Sequence, residues 1–245
     1  MKCALAAMGF INGNIEYNKA VIIKTLNKWK GNADVVIFGE AFLQGFYGVD
    51  FTVEHDSQVS ISCDDPIIKE ICAVAKDCST AVSFGFIEKD NNLFYSSQIT
   101  IDQSGHIIDL YRRVSEGWKE KTAGKEYCEG EGFHTFVFMG KKIAVGLCGD
   151  LWYDDNLNSI CALKPDQVWW PVYTDFNDID WNETTKFEYA EQVRKIGVPV
   201  LYVNSVCIDK SDEVEIAKGG AALFYKGNIE FEIASGAEGI LFVEN

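Results

Sequence analysis

The chain has 245 residues, of which 47% are hydrophobic and 24% are charged, a composition typical of a globular protein and unlike that of disordered or collagen-like chains. Its 22 basic and 37 acidic residues leave a formal net charge of -15, which would repel both a nucleic-acid backbone and an anionic membrane surface. We therefore expect neither nucleic acid nor a membrane as a partner. Since no tandem repeat, low-complexity tract or Pro/Gly/Ser-rich linker interrupts the sequence, we predict a single domain over residues 1–245.

The first third of the chain alternates strand-like and helical patterns. The run KCALAAMGF predicts a strand, the following stretch an amphipathic helix with Ile22, Leu26 and Trp29 on one face, and DVVIF a second strand. Asp65 followed by Pro66 is typical of a helix start, and TAVSFGF predicts the strand after that helix. The order of these elements predicts a β-α-β-α-β beginning.

The middle of the chain predicts two hairpins, and the second half returns to alternation. LFYSSQITI pairs with HIIDLYRRV, and FHTFVFMG pairs with IAVGLC. A short helix over 156–163, the strand QVWWPVY, a helix from about 182 to 196, the strand VPVLYVN and a hairpin with Gly227 and Asn228 at its turn follow. Because strands such as VPVLYVN are apolar on both sides, helices must cover the sheet faces, and the predicted fold class is α/β.

The cysteines indicate a reducing compartment. None of the eight has the paired CxxC spacing of a zinc site or a thioredoxin-like centre, so we expect free thiols and a cytoplasmic location. Three scattered histidines do not make a metal site either, and no glycine-rich nucleotide cradle is present. We therefore expect no metal and no cofactor. The first eleven residues are interpreted as a buried strand and not a signal peptide, since Asn12-Gly13-Asn14 follows without a cleavage pattern.

Cys148 is the first candidate for chemistry. In IAVGLCGDLW it stands where a hydrophobic strand ends and Gly149-Asp150 turns the chain away. Such a turn presents a thiol on a rigid support, and the backbone N–H groups after it can receive an oxyanion. The alternative interpretation is one more buried small hydrophobic residue, which is the usual fate of a free cysteine.

Glu40 is the second candidate. It follows the strand DVVIF directly and is surrounded in FGEAFLQGF by phenylalanine, glycine and alanine. A poorly solvated carboxylate can serve a thiol as a general base where no histidine does so. A structural glutamate, capping a helix or paired with a cation, is the alternative. All three histidines precede Cys148, which excludes the chain orders of papain-like enzymes and class I glutamine amidotransferases.

These residues resemble the carbon–nitrogen hydrolases, also called the nitrilase superfamily. FGEAFLQGF resembles the family's glutamate motif, Tyr111-Arg112-Arg113 its YRK lysine motif, and GLCGDLW its cysteine motif, and the resemblance covers nearly the whole chain. It implies a four-layer α-β-β-α sandwich and a Glu-Lys-Cys triad that attacks a nitrile, amide or N-carbamoyl carbon. In that triad Glu40 takes the proton of Cys148, and a cation with backbone N–H groups holds the developing oxyanion.

The chain departs from the family at the third triad position. Arg113 stands where the resemblance places the lysine, and arginine stays cationic but does not readily pass on a proton. Lys119 follows in RRVSEGWKEK, and a turn over 115–117 would fold it back, with Trp118 as an anchor. We favour Lys119 as the catalytic cation and keep Arg113 as the alternative; a solvated loop is the ordinary interpretation of Lys119.

The resemblance also implies a second loop glutamate, for which Glu120 is the first candidate and Glu126 another. The substrate pocket should lie at strand exits near Cys148, where Trp152, Tyr153 and Tyr173 are candidate lining residues, although core packing would explain them equally well. Family members usually pair through helical faces, so the resemblance implies a homodimer or a larger homo-oligomer.

The leading hypothesis is thus a thiol-dependent hydrolase of small amides, nitriles or N-carbamoyl compounds. A catalytically silent relative that binds a ligand or partner is the alternative, and the arginine at position 113 favours it. An acyltransferase that uses the same acyl-enzyme is a further alternative.

Overall fold

A computed structural model describes residues 1–209 and 216–244. The strands in these ranges are β1 (Lys2–Ala7), β2 (Gly9–Phe10), β3 (Val35–Ile37), β4 (Ala81–Asp90), β5 (Leu93–Ile101), β6 (Ile107–Arg112), β7 (Thr135–Phe138), β8 (Lys141–Val145), β9 (Gln167–Val172), β10 (Val200–Asn204), β11 (Val206–Cys207), β12 (Ala221–Tyr225), β13 (Asn228–Ile233) and β14 (Gly239–Glu244). The α-helices are α1 (Ile15–Trp29), α2 (Val53–Val59), α3 (Pro66–Cys78), α4 (Asp154–Leu163), α5 (Asp178–Asp180) and α6 (Lys186–Gln192).

Within the described ranges the strands form two six-stranded mixed sheets and one small two-stranded sheet. The first sheet has the order β14-β1-β3-β4-β5-β6, and the second has the order β13-β12-β10-β9-β8-β7. Parallel neighbours lie at the centre of each sheet, and antiparallel hairpins extend them outward. The strands that carry the glutamate and cysteine motifs, β3 and β8, therefore belong to different sheets.

Alternation along the strands sorts the apolar side chains into layers, as the period-two geometry of a strand requires. In β1, Leu5 faces the second sheet, whereas Ala4 and Ala6 face the helices α1 and α3. In β9, Trp169 lies between the sheets, whereas Trp170 packs under α4 and α6. The layers are thus helices, sheet, sheet and helices, as the sequence analysis predicts.

Local signals explain why the helices begin where they do. The side chain of Asp65 accepts a hydrogen bond from the backbone N–H of Ile67, and Pro66 occupies the first turn of α3, where its missing N–H does no harm. Asn14 caps α1 in the same way, through the N–H of Tyr17. No helix within residues 1–209 and 216–244 combines the length and apolarity needed to cross a membrane.

The structure corrects two details of the predicted elements. The helix expected from about 182 to 196 begins earlier, with α5, and continues through a π-helical turn (Trp181–Thr185) into α6; it ends at Gln192, and a 3-10 turn (Arg194–Ile196) follows. The closing hairpin turns at Lys226 and Gly227, whose φ angles of 51° and 83° suit the twist of a tight hairpin, while Asn228 already pairs with Tyr225. The sequence pattern also missed α2 and the edge strand β14.

Candidate active site

Glu40 lies just beyond the end of β3, in a turn that two glycines allow to pack closely. A Cβ atom on Gly39 would stand 2.8 Å from the carbonyl oxygen of Val172, and one on Gly85 of β4 would stand 2.3 Å from the backbone nitrogen of Ala41. The backbone around Glu40 can therefore pack closely against both sheets at this point. Glu40 is only 1% exposed, so its carboxylate depends on protein groups for its hydrogen bonds.

The two oxygens of Glu40 have different surroundings. Oε1 accepts hydrogen bonds from Arg113 Nη1 at 3.0 Å and from Ser96 Oγ at 2.8 Å. Oε2 is buried and has no hydrogen-bond partner among the described residues. One oxygen thus fixes the orientation of the carboxylate, and the other is left able to accept a proton or a hydrogen bond.

Arg113 is buried beside this carboxylate at the end of β6. Its Nε donates to Ser115 Oγ at 2.9 Å and its Nη2 donates to the carbonyl oxygen of Glu116 at 3.3 Å. Burial by itself lowers the pKa of a guanidinium, but the negative charge of Glu40 and the groups around it hold the pKa of Arg113 above its ordinary value. The side chain is therefore a permanent cation within the site.

Cys148 occupies a sharp turn at the end of β8. Its φ angle is 42°, in the left-handed region that a residue with a side chain rarely adopts, and the indole of Trp170 donates to its carbonyl oxygen at 2.8 Å. The thiol donates to the carbonyl oxygen of Tyr173 at 3.3 Å. Burial raises the pKa of the Cys148 thiol to about 12, the carboxylate of Glu40 acts in the same direction, and Arg113 lowers it. At neutral pH the sulfur is therefore protonated and needs a base before it can attack.

Asp150 connects the turn that carries Cys148 (the cysteine turn, residues 146–150) to the loop that begins at Arg113 (the arginine loop, residues 113–117). Its Oδ2 accepts from the Tyr111 hydroxyl at 2.6 Å and from the N–H of Leu147 at 2.8 Å, while its Oδ1 accepts from the N–H groups of Val114 and Ser115. Burial raises the pKa of Asp150, and these hydrogen bonds oppose that rise. The carboxylate thus joins the strand end that carries Arg113 to the turn that carries Cys148.

Lys119 is not brought to Glu40 or Cys148. Its Nζ donates to the carbonyl oxygen of Tyr127 at 2.6 Å and pairs with Glu129 at 2.7 Å. Trp118 does anchor the loop, as expected, but it is buried against Phe51 and Tyr127, and this contact carries the lysine away from the site. Of the two cations considered from the sequence, only Arg113 contacts Glu40.

The other predicted site residues are spread over different parts of the surface. Glu120 is exposed and accepts from the hydroxyl of Thr122. Tyr153 lines a surface groove with the 116–123 loop, and Trp152 packs edge-on against Tyr189 with ring centroids 4.8 Å apart. Tyr173 is the predicted lining residue that reaches the Cys148 thiol, through its carbonyl oxygen.

An aromatic group surrounds Tyr173. Its ring stacks on Phe46 with centroids 4.5 Å apart, and Tyr47 meets it edge-on at 5.8 Å. Both partners come from the turn that follows Glu40. Tyr173 therefore contacts the thiol through its backbone and the turn after Glu40 through its ring.

The sequence analysis predicted no hydrogen-bonding role for three polar residues of the site: Ser96, Ser115 and Asp150. Asp150 stood inside the cysteine motif, where its acidic type within an apolar stretch was a usable signal. Ser96 and Ser115 carried no such signal, because serines in a strand or turn are common and only the fold shows their partners.

Asp50, His55 and Asp56 form a separate acidic cluster with ligand atoms within 4.8 Å of one another. The carboxylate of Asp56 is already bonded by the N–H groups of Asp50 and Phe51 and by the hydroxyl of Tyr127. The cluster is thus accounted for as the start of α2, and nothing in it points to an ion.

Several known proteins resemble this chain. The sequence model of the carbon–nitrogen hydrolases matches residues 4–212. An (R)-stereoselective amidase from Pseudomonas sp. is 22% identical over 95% of this chain and 80% of its own length, and an N-carbamoylputrescine amidase from Oryza sativa subsp. japonica is 22% identical over 93% and 77%. A citrullinase from Francisella tularensis is 21% identical over 91% and 80%.

A solved structure has the same fold. It is a mutant of the amidase from Nesterenkonia sp. AN1 with acrylamide added to its active-site cysteine, and the match covers 100% of this chain and 93% of the amidase chain, with a TM-score of 0.81 and 16% identity. The predicted four-layer sandwich of the nitrilase superfamily is confirmed by this similarity and by the layers described above.

Proposed function

The chain belongs to the carbon–nitrogen hydrolase family and is an enzyme of that kind, and we propose that it hydrolyses small amides through a thioester formed on Cys148, with Glu40 as the general base. The observation that carries this proposal is that the two carboxylate oxygens of Glu40 have different hydrogen-bond partners. Arg113 and Ser96 hold Oε1, whereas the buried Oε2 lacks a hydrogen-bond partner in the described residues and can accept the thiol proton.

The proposed reaction has two halves. Glu40 accepts the proton of the Cys148 thiol as the sulfur attacks the amide carbon, and the carbonyl oxygen takes up negative charge. The C–N bond then breaks, the nitrogen leaves with the proton that Glu40 returns, and a thioester remains. Water attacks the thioester while Glu40 takes a water proton, and the carboxylic acid leaves as the thiol is restored.

Arg113 supplies the positive charge in this proposal in place of a lysine. It fixes Glu40 Oε1 and lowers the pKa of the Cys148 thiol, which favours the ion that forms during attack. A guanidinium does not give up a proton at neutral pH, so every proton transfer falls to Glu40. The hydrogen bonds of Asp150 fix the position of Arg113 relative to Cys148. Charge stabilisation of the transition state requires such a fixed position, because the charged group must be in place before the reaction begins.

The substrate class rests on the relatives and on the aromatic cluster of Tyr173, Phe46 and Tyr47. In this cluster the ring of Tyr47 is exposed, and aromatic surface near the site suits a small amide with an apolar part. N-carbamoyl compounds and nitriles are the next classes to test, since two of the relatives carry N-carbamoylputrescine amidase and citrullinase names.

We also propose a cytoplasmic homodimer. The cysteines of the described residues are free, which suits a reducing compartment. Trp152, Phe176, Ile179 and Phe187 are exposed together on the outer side of the second sheet, and an apolar patch of this kind suits self-association. Tyr189 and Val193, which lie in and just after α6, are buried in the core and are not part of this patch. Light scattering of the wild type and of Phe187→Glu tests this pairing, which a monomeric wild type would refute.

A panel assay with mass detection tests the proposed reaction. Wild-type protein, Cys148→Ala and the matched control Cys161→Ala are incubated with acetamide, propionamide, a small nitrile and an N-carbamoyl amine, while ammonia release and intact mass are followed together. We expect wild type and Cys161→Ala to release ammonia from at least one amide and Cys148→Ala to release none. No ammonia and no adduct from any panel compound would instead support the catalytically silent relative that Arg113 favours, and transfer of the acyl group to an added amine would support the acyltransferase.

A further inference from the structure

Gly149, the residue after the proposed nucleophile, lies directly against the guanidinium of Arg113. A Cβ atom at this position would stand 2.6 Å from Arg113 Nη2, 3.2 Å from Ser115 Oγ and 3.5 Å from Arg113 Cζ. The φ angle of Gly149 is outside the left-handed range, so its backbone conformation is open to any residue. Packing, and not backbone conformation, therefore requires a glycine here.

The contact involves the part of arginine that lysine lacks. Nη1 of Arg113 donates to Glu40 and Nε donates to Ser115, whereas Nη2, which donates to the carbonyl oxygen of Glu116, is the nitrogen nearest to Gly149. A lysine has one terminal nitrogen and ends near the place of the arginine Cζ, from which a Cβ on residue 149 would keep an ordinary van der Waals distance. The arginine at position 113 and the glycine at position 149 are thus matched in volume.

We propose that Gly149 is a positioning residue for Arg113: its missing side chain leaves the space that lets the larger guanidinium reach Glu40 and lie beside Cys148. The proposal rests on the proposed function for the use of that charge in hydrolysis. The packing relation itself depends only on the contacts of Gly149, Arg113 and Glu40.

A methyl group at position 149 should move the guanidinium and leave the fold in place. The atom that it meets is the far end of a flexible side chain, and the nearest other atom, Ser115 Oγ, needs to shift only slightly. Once displaced, Arg113 would no longer hold Glu40 Oε1 or stabilise the thiolate, so the thiol should react more slowly at a given pH.

Alkylation of the thiol measures this effect without knowledge of the substrate. The rates at which methyl vinyl sulfone, a thiol-alkylating agent without a C–N bond, modifies Cys148 and Cys161 are followed by peptide mass mapping in wild type, Gly149→Ala, Arg113→Lys and the double variant. We expect Gly149→Ala to slow modification of Cys148 by about tenfold, which corresponds to about one pKa unit of lost charge stabilisation, and to leave Cys161 unchanged. In the Arg113→Lys background, adding Gly149→Ala should change the rate by less than about twofold, because the nitrogen that the methyl group displaces is then missing.

Gly146→Ala is the matched control. It lies in the same turn, but its Cβ would meet the side chain of Leu151 at 2.8 Å and not the guanidinium. Its effect on the rate should therefore be the same in the wild-type and Arg113→Lys backgrounds. Urea unfolding of every variant shows whether the fold is retained, and the expected pattern is a cooperative transition in every variant with the rate loss confined to Cys148. Gly149→Ala should also lower the unfolding free energy, because Glu40 then loses its buried cation.

Equal effects of Gly149→Ala in both backgrounds would overturn the inference, since the methyl group would then act through something other than the guanidinium. An unchanged rate in Gly149→Ala would overturn it as well. If instead the rates couple as expected but no amide of the panel is hydrolysed by wild type, the packing relation stands and the proposed function fails.

Discussion

Two neighbouring arginines at the end of β6 each form an ion pair with a buried glutamate. One pair occupies both carboxylate oxygens, whereas the other leaves one oxygen without a partner among the described residues. Arg112 holds Glu88 through Nε at 2.8 Å and Nη2 at 2.6 Å, and Ser97 of β5 adds a third bond to that carboxylate. Arg113 holds Glu40 through a single nitrogen at 3.0 Å, and Ser96 of β5 bonds the same oxygen.

The two pairs differ in what remains free. Both oxygens of Glu88 are engaged, so Arg112 and Glu88 form a closed pair that joins β4 to β6. Glu40 keeps Oε2 without a partner in the described chain, next to a thiol whose proton it can take. A buried unsatisfied oxygen lowers stability, and of these two carboxylates only the one beside the thiol carries that penalty.

Replacing each glutamate in turn should give the largest difference in activity between the two ion pairs. Glu40→Gln removes the general base, so we expect kcat/KM for the best panel amide to fall by about 1000-fold. Glu88→Gln should stay within a few-fold of wild type in kcat/KM and lower the unfolding free energy by about 1–3 kcal/mol, because it weakens a partly buried ion pair. Steady-state kinetics and urea unfolding measure the two effects, and an equal loss of activity in both variants would contradict the distinction.

Replacing each arginine in turn should give a smaller difference of the same kind, with the loss of activity at Arg113 and the loss of stability at Arg112. Arg113→Gln removes the cation beside Glu40 and Cys148, and we expect about a 100-fold loss of kcat/KM. Arg112→Gln should affect mainly stability, since Arg112 also covers the ring of Tyr95 at 3.9 Å. If Arg113→Gln hydrolyses the panel amide as well as wild type does, the cationic role of Arg113 fails and Lys119→Ala becomes the variant to measure.

Asp150 is a further difference between the two ion pairs, because it connects the loop of the Arg113 pair to the turn that carries Cys148. Asp150→Asn keeps the size of the side chain but turns one acceptor into a donor that faces backbone N–H groups. We expect kcat/KM to fall about tenfold, with a matching loss of unfolding free energy of about 1–2 kcal/mol. Tyr111→Phe, which removes only the hydroxyl bond to Asp150, should produce a smaller loss in both measurements; a larger loss would mean that Tyr111 acts elsewhere.

The buried thiol of Cys3 should affect stability only at high pH and leave activity at neutral pH unchanged. Burial raises the pKa of Cys3 to about 12, as it does for Cys148, whereas a thiol in the unfolded chain ionises near 9.0. The folded state therefore binds more protons at high pH, so its stability is complete below pH 9.0 and decreases as the pH rises toward 12. Urea unfolding at about pH 7.5 and about pH 10 should show Cys3→Ala losing about 1.4 kcal/mol less than wild type over this interval. Equal losses would show that Cys3 does not contribute.

Part of the site could be predicted because its signals are local. Glu40 and Cys148 each follow a hydrophobic strand and stand at a turn, and strand ends of packed sheets meet in space. The same periodicities predicted the alternating elements and the α/β class. The π-helical turn over Trp181–Thr185 was not predictable in this way, because an apolar stripe does not record where the backbone changes from α to π geometry.

The choice of cation depends on long-range packing. Lys119 and Arg113 are six positions apart, and both are cationic, so sequence alone leaves them in competition. Burial of Trp118 against Phe51 and Tyr127 sends Lys119 to Glu129, while the bare backbone of Gly149 leaves space for Arg113 to reach Glu40. Neither relation has a sequence signature, because each depends on volumes contributed by segments distant in the chain.

Periodicity and the residue types at strand exits were enough to establish the fold class, the order of most elements, and the carboxylate and thiol that lie together at the strand ends. Which cation contacts Glu40, which oxygen of Glu40 lacks a partner among the described residues and which residues hold these groups in place became visible only once the layers were assembled. Hydrogen-bond saturation and close packing are properties of those assembled layers, and no single segment of the chain carries them.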